Sequence, residues 1–257
     1  LGFSADWLAL REPCDHQARD AGLVQLAVNA AGQNPVILDL GCGTGSTVRA
    51  LSPQLPQNTR WRLVDNDPEL LRLAGEAAGK SATLHQLDLS DIDSLPVNGV
   101  TLVTASALID LASRQWLEQL ALRLEVPVYF ALSYDGDMSW RPENIMDGSV
   151  TEAFNNHQRT DKGFGPALGP DAVAVACEVF ESHGFEVLVA KSPWMLGPGE
   201  AALHKELVSG ISKAAIEFGL QDAELWGTER IAAADKTLCR IGHGDILAIP
   251  RSLSERA

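Results

Sequence analysis

Basic residues are scarce: 20 Lys and Arg stand against 34 Asp and Glu, a formal net charge of −14 over 257 residues. Such a field opposes approach to nucleic-acid phosphates and anionic lipid unless a local basic groove overrides it. Apolar runs are short, and none approaches the roughly 18 residues that a membrane span requires. Cysteine is sparse too. Cys14, Cys42, Cys177 and Cys239 lie far apart with no Cys-x-x-Cys pair, which excludes a disulfide framework and a zinc signature. They read as reduced thiols, as expected of a cytoplasmic protein. The six histidines are scattered without a His-x-x-x-His face, so no metal is expected. Internal repeats and low-complexity tracts are absent. The chain opens at Leu1 rather than Met, so trimming of an earlier segment is expected; what remains has no signal-like apolar stretch.

What is present is an ordinary globular composition, 46% hydrophobic and 21% charged, at a length suited to one α/β domain with or without a cap. Short β-rich runs alternate with helical stretches, the pattern of a parallel sheet covered on both faces. A helical piece from Ala5 to Ala31, interrupted at Pro13, precedes the strand Val36–Leu40. Further strands are expected at Trp61–Asp65, Ala82–Asp88, Gly99–Ala105, Val128–Ser133, Phe185–Ala190 and Asp245–Ile249. Asp67-Pro68 and Ser113 supply helix starts, and Gly79 and Gly184 supply stops. Two segments stand outside the alternation: residues 1–35, and 135–169, too long for an ordinary βα connection. Within the second, Ser149-x-x-Glu152 reads as a capping box opening a helix from Val150 to Thr160.

The chemistry centres on Val36-Ile-Leu-Asp-Leu-Gly-Cys-Gly-Thr-Gly45, a buried strand running through glycines into a helix, where backbone N–H groups can meet a ligand. Gly41 permits the sharp turn, and Gly43 removes a Cβ that would meet a ligand lying across it. A dinucleotide site would require glycine at 46, where Ser46 stands. The third glycine is Gly45, one position early. If the ligand is a nucleoside with a charged amino-acid tail rather than a pyrophosphate, Asp39 is placed to meet its ammonium group.

On these residues the sequence resembles the class I S-adenosylmethionine-dependent methyltransferases, whose first motif is an acidic residue followed by Gly-x-Gly-x-Gly. Asp39 to Gly45 matches that motif throughout. The resemblance extends over about Val36 to Pro250 and implies an α/β fold: a Rossmann-like, doubly wound, seven-stranded sheet, mostly parallel with the last strand antiparallel. It implies a core over 36–250, and the two segments outside the alternation are expected as an N-terminal helical cap at 1–35 and a substrate-cap insertion at 135–169, with a tail at 251–257. The helical connection at 191–244 departs from the family's usual hairpin. The resemblance further implies S-adenosyl-L-methionine as cofactor and S-adenosyl-L-homocysteine as product. The cofactor would be held by Asp39, Gly41, Cys42, Gly43, Gly45, Asp65, Asn66, Asp88, Leu89, Ala105 and Ser106, with Asp65 on the ribose diol and Asp88 on the adenine amino group.

For the acceptor the sequence says less. After the fourth strand stands Ala105-Ser-Ala-Leu-Ile-Asp110, without the Asn/Asp-Pro-Pro-aromatic sequence of amino-methylating nucleic-acid enzymes and without a Pro-Cys pair. Together with the net charge, this favours a small-molecule acceptor over nucleic acid. A protein or RNA methyltransferase, or a non-catalytic binder of the cofactor, are the alternatives. Asp110 is a candidate base or orienting acceptor, against a plainer role favouring the start of the next helix. His157 is a second candidate base. Asn155, Gln158 and Arg159 on the same helix, with Trp140, are candidate acceptor contacts, against a solvated face and ordinary packing. Trp194 is a candidate pocket wall. Arg11 and Arg19 are candidate partners of the cofactor carboxylate, against surface ion pairs.

Overall fold

The strand Val36–Leu40 (β1) is buried at every position. It runs between two parallel neighbours, Arg60–Asp65 (β2) and Leu102–Ser106 (β4), and a strand covered on both faces needs an unbroken apolar run rather than an alternating one. The computed structural model describes residues 2–254. Outward from β1 the sheet continues to Ala82–Gln86 (β3) on one side and to Val128–Arg141 (β5) on the other, giving the order β3-β2-β1-β4-β5-β8-β6. Leu238–Pro250 (β8) is antiparallel to both β5 and Phe185–Lys191 (β6). The seven expected strands and the antiparallel last one are all present. An eighth, Trp194–Leu196 (β7), pairs only with β8.

Alternate residues of β1 feed opposite cores, as the strand period demands. Leu38 and Leu40 pack with Trp116, Leu117 and Leu120 of helix α5 (Arg114–Arg123) and with Val179 and Phe180 of α7 (Ala172–Ser182). Ile37 faces Leu23 and Ala27 of α2 (Ala21–Ala30) and Leu71 and Ala74 of α4 (Pro68–Ala78). The chain order reverses between β1 and β4, so their following loops leave toward opposite faces and open a crevice at the C-terminal edge.

Three expectations are corrected. Pro13 does not break the first helix: α1 runs Ala5–Ala18, with Pro13 and Ala9 both exposed, so water can serve the carbonyl that loses its donor. The break falls at Arg19, where Asp20 caps α2 by accepting from the backbone N–H of Leu23 at 2.8 Å. β5 does not end at Ser133. It continues to Arg141, paired with residues 238–244 of β8, with irregularities that accommodate Leu132 (φ 58°) and Gly136 (φ 88°). The Ser149/Glu152 box is not formed: α6 (Asp147–Gln158) starts one turn earlier, where Asn144 and Asp147 satisfy each other's segment.

The extended parts of β5 and β8, with β7, form a ribbon above the sheet edge and carry a third core. Tyr134, Met138, Trp140, Trp194 and Ile241 pack there against α6, α8 (Ala201–Glu217) and α9 (Ala223–Ala232). Trp7 and Leu10 of α1 join this layer, hereafter the cap. Buried Arg230 of α9 is paired with Asp147 of α6 and ties its helices together. Among the described residues, no helix is long and apolar enough to cross a membrane.

Candidate functional site

A cavity of about 320 Å3 lies at the C-terminal ends of β1, β2 and β4. Its floor is the loop 41–45, where Gly41, Gly43 and Gly45 take φ of 64°, 52° and 85°, values that favour glycine. The loop is fixed from outside. Cys42 N–H donates to Val64 O at 3.0 Å, and Gly43 N–H to Asp65 Oδ2 at 2.9 Å. The helix that follows, α3 (Ser46–Leu51), abuts α4 so closely that a Cβ on Gly45 would sit 3.1 Å from the Cα of Ala74. Gly45 therefore serves packing, while Gly41 and Gly43 line the cavity.

Asp65 ends β2 with both carboxylate oxygens already engaged, Oδ2 by Gly43 N–H and Oδ1 by Asp67 N–H at 3.0 Å. Each oxygen retains a lone pair for a further donor. Asp88, beyond β3, is exposed and accepts from Ser90 N–H at 2.8 Å, which holds its carboxyl below the usual range. Asn66, Leu89, Cys42 and Ser106 complete the expected residues in the wall. Asp39 and Ala105 are buried beneath it. Asp39 Oδ1 accepts from Thr104 Oγ1 at 2.7 Å, and Oδ2 has no partner. Burial pushes the Asp39 carboxyl up to about 7, opposed by the Thr104 bond and the charge of Arg19.

That shift carries a prediction. The unfolded chain titrates Asp39 near ~3.9, the folded chain near 7, so folding takes up a proton between them and stability falls as pH rises through that window. Asp39→Asn is expected to gain on the order of 1 kcal/mol or more at pH above 7 and to gain nothing below about pH 4. Urea unfolding of both proteins at the two ends of the window reads the difference; an equal shift at both ends would contradict it.

The roof is α1. Leu8, Arg11 and Asp15 line the cavity, one above another at helical spacing. Arg11 donates to Asp15 through Nε (2.8 Å) and Nη2 (3.1 Å), stacks 4.9 Å over the Trp194 ring, and Trp194 Nε1 donates to Asp15 Oδ1 at 3.0 Å. Trp194 thus braces the roof from behind. His16 Nε2 lies 3.1 Å from both Ser46 oxygens, and Glu12 pairs with Arg49, so α1 is fastened to the segment after the glycine loop. Arg19 is buried, not superficial; it donates to Ser106 Oγ at 2.8 Å while its Nε and Nη1 have no partner. The remaining side is closed by Leu108, Leu111 and the loop Lys162–Gly163–Phe164. Asp161 Oδ1 holds that loop by accepting from Gly163 and Gly165 N–H, and Phe164 meets Trp116 edge-on at 5.7 Å.

The expected acceptor residues are not brought to this cavity, because α6 packs on α8 instead of crossing the sheet edge. Asn155 accepts from Tyr134 Oη at 2.7 Å and donates to Gly136 O at 3.0 Å. His157 Nε2 lies 3.2 Å from Glu217 Oε2, Arg159 donates to Asp171 at 2.9 Å, and Gln158 backs onto Gly169. Trp140 is sealed in the cap core, donating to His204 Nε2 at 3.1 Å. Asp110 stands behind the wall formed by Leu108 and Leu111, its Oδ1 buried and unpartnered, its carboxyl pushed up to about 6 by burial. Nor does it serve the next helix, which starts at Arg114 with Ser113 as cap. The sequence alone pointed to Lys162, at the end of the polar stretch from Phe154, but not to Leu8, Asp15, Leu111, Gly163 or Phe164. The only local signals were the 8/11/15 spacing and the glycines flanking Phe164. Among the described residues, no cluster of His, Cys, Asp and Glu is arranged to hold a metal.

The site is thus framed by a glycine-rich floor, by carboxylates at the ends of β2 and β3, and by a sheet in which β8 runs antiparallel between β5 and β6. Residues 37–125 match the family described as Methyltransferase domain. Among solved structures, a SAM-dependent methyltransferase from Thiobacillus denitrificans, crystallised with S-adenosyl-L-homocysteine, is similar over 98% of this chain and 100% of its own, at 13% identity and a TM-score of 0.53. The YcgJ protein of Bacillus subtilis covers 91% and 98% at 15% identity and a TM-score of 0.55. Geranyl diphosphate C-methyltransferase of Streptomyces coelicolor covers 91% and 74% at 13% identity and a TM-score of 0.51. No curated protein sequence matches significantly. Residues 37–125 thus carry a methyltransferase domain, and the fold over nearly the whole chain is similar to that of S-adenosylmethionine-dependent methyltransferases.

Proposed function

We propose that the protein methylates a small-molecule acceptor in the cavity closed by α1 and the 162–164 loop. The residues present fit the cofactor: Gly41 and Gly43 leave a floor without side chains, Asp65 keeps lone pairs for a diol, and Asp88 is free to accept from an amino group. When bound, S-adenosyl-L-methionine supplies a methyl carbon already activated by its sulfonium and leaves as S-adenosyl-L-homocysteine. The chain's own residues then have to align the acceptor and exclude water. Leu8 and Phe164 shield the cavity, and Asp15 and Trp194 keep Arg11 in one orientation. Neither Asp110 nor His157 lines the wall, so the reading assigns the acceleration to alignment rather than to a base in direct contact.

The observation that carries the small-molecule reading is that α1 and the 162–164 loop cover a cavity of about 320 Å3 whose lining already includes the residues fitted to the cofactor, which leaves little room for a large acceptor. A folded protein surface or an RNA strand would need α1 removed from it. Label from methyl-labelled cofactor, added to the protein with a cell extract, is expected in the low-molecular-weight fraction. Label confined to protein or RNA would overturn the reading.

A further inference from the structure

The cavity wall is divided by charge. Its carboxylates Asp65, Asp67 and Asp88 stand at or beyond the ends of β2 and β3, whereas its two cations arrive from the cap side: Arg11 stacked on Trp194 of β7, and Lys162 beside His157 of α6. Neither cation is used up. Asp15 occupies Nε and Nη2 of Arg11, and Nη1 makes no bond among the described residues. Lys162 Nζ donates to Thr160 Oγ1 at 3.0 Å and lies 3.4 Å from His157 Nδ1, and no ion pair with a carboxylate involves it among the described residues. Glu217, outside the wall, favours the Lys162 ammonium through His157, but no carboxylate of the wall is paired with it: Asp15 is taken by Arg11, and Asp65, Asp67 and Asp88 lie after β2 and β3, so the cap end of the cavity can receive an anion. Burial holds the Lys162 ammonium below the usual lysine range, so a carboxylate beside it would replace lost solvation. The intervening wall contributed by Leu8, Leu108, Leu111 and Phe164 is apolar.

We propose that the cap end of the cavity is a carboxylate subsite, in which Lys162 and the free Nη1 of Arg11 receive the acid group of an acceptor whose body is apolar. This rests on the methyltransferase reading above. The cofactor also carries a carboxylate, but its amino-acid end belongs near the glycine loop, where Arg19 has two unpartnered donors over Asp39 and Ser106. Lys162 and Arg11 are therefore specificity-determining residues for the acceptor.

The test is calorimetry on the full chain saturated with S-adenosyl-L-homocysteine, titrated with butanoate, hexanoate and octanoate and with the matching primary amides. At least one acid is expected to bind about tenfold more tightly than its amide, the gain of a charge-assisted hydrogen bond over a neutral one. Lys162→Met should erase that preference and Lys162→Arg should keep it, with affinity for S-adenosyl-L-homocysteine unchanged in both. Equal affinity of every acid and its amide for the wild-type protein would overturn the proposal. So would a loss of S-adenosyl-L-homocysteine affinity in Lys162→Met that 5′-methylthioadenosine, which lacks the carboxylate, does not share; the subsite would then be the cofactor's. Failure of the wild-type protein to bind S-adenosyl-L-homocysteine would be a different result, one that removes the methyltransferase reading itself.

Discussion

Gly43→Val is expected to weaken binding of S-adenosyl-L-homocysteine by a hundredfold or more, on the order of 3 kcal/mol, while the far-ultraviolet circular dichroism stays native. Two effects add. The backbone at position 43 has φ 52°, which a β-branched residue adopts only with strain of order 1–3 kcal/mol. A Cβ there would also stand 3.1 Å from Leu8 Cδ1, so Leu8 must give way, and the Cγ atoms of valine would fill space between the loop and α1. Gly43→Ala, with less bulk, should fall between the two, and undiminished affinity in a folded Gly43→Val protein would show that the ligand does not cross this loop.

Asp65→Ala is expected to weaken the same affinity by about 1.5 to 3 kcal/mol, the range for hydrogen bonds to a charged group. The structure adds a reason beyond a contact with the ribose. The Asp65 carboxylate receives Gly43 N–H and Asp67 N–H, so its removal frees the glycine loop and the start of α4 at once. Asp65→Asn keeps one acceptor oxygen and should retain part of the affinity. Asp88→Ala should cost less, because Asp88 is exposed and water can serve in its place. If Asp65→Ala binds as the wild type does, the cofactor does not lie across the end of β2.

The difference between these residues and the acceptor side is also the difference between what the sequence discloses and what it hides. Gly41, Gly43 and Gly45 are legible because the constraint is local: a strand, a turn with positive φ, then a helix. Asp65 and Asp88 are legible because strand ends can be counted from apolar runs. The ribbon is not, because Asp135-Gly136-Asp137 has the composition of a turn and becomes strand only by pairing with residues 238–244, a hundred positions away in sequence. α9 and the three-residue β7 depend on the same ribbon for their burial. With the ribbon unforeseen, α6 had no visible partner and its polar residues looked like a pocket lining; in fact α8 takes that face. α1 was foreseen as a cap, yet its course through Pro13 depends on that residue facing water, which the sequence alone does not disclose.

The central claim is that the cavity above the 41–45 loop holds S-adenosyl-L-methionine and its demethylated product. Titration calorimetry of the full chain with S-adenosyl-L-homocysteine, and separately with NAD, tests it most directly. One site per chain for S-adenosyl-L-homocysteine and no heat with NAD is the predicted result, since Ser46 stands where a pyrophosphate loop needs glycine. Saturable binding of NAD, or none of S-adenosyl-L-homocysteine, would contradict it.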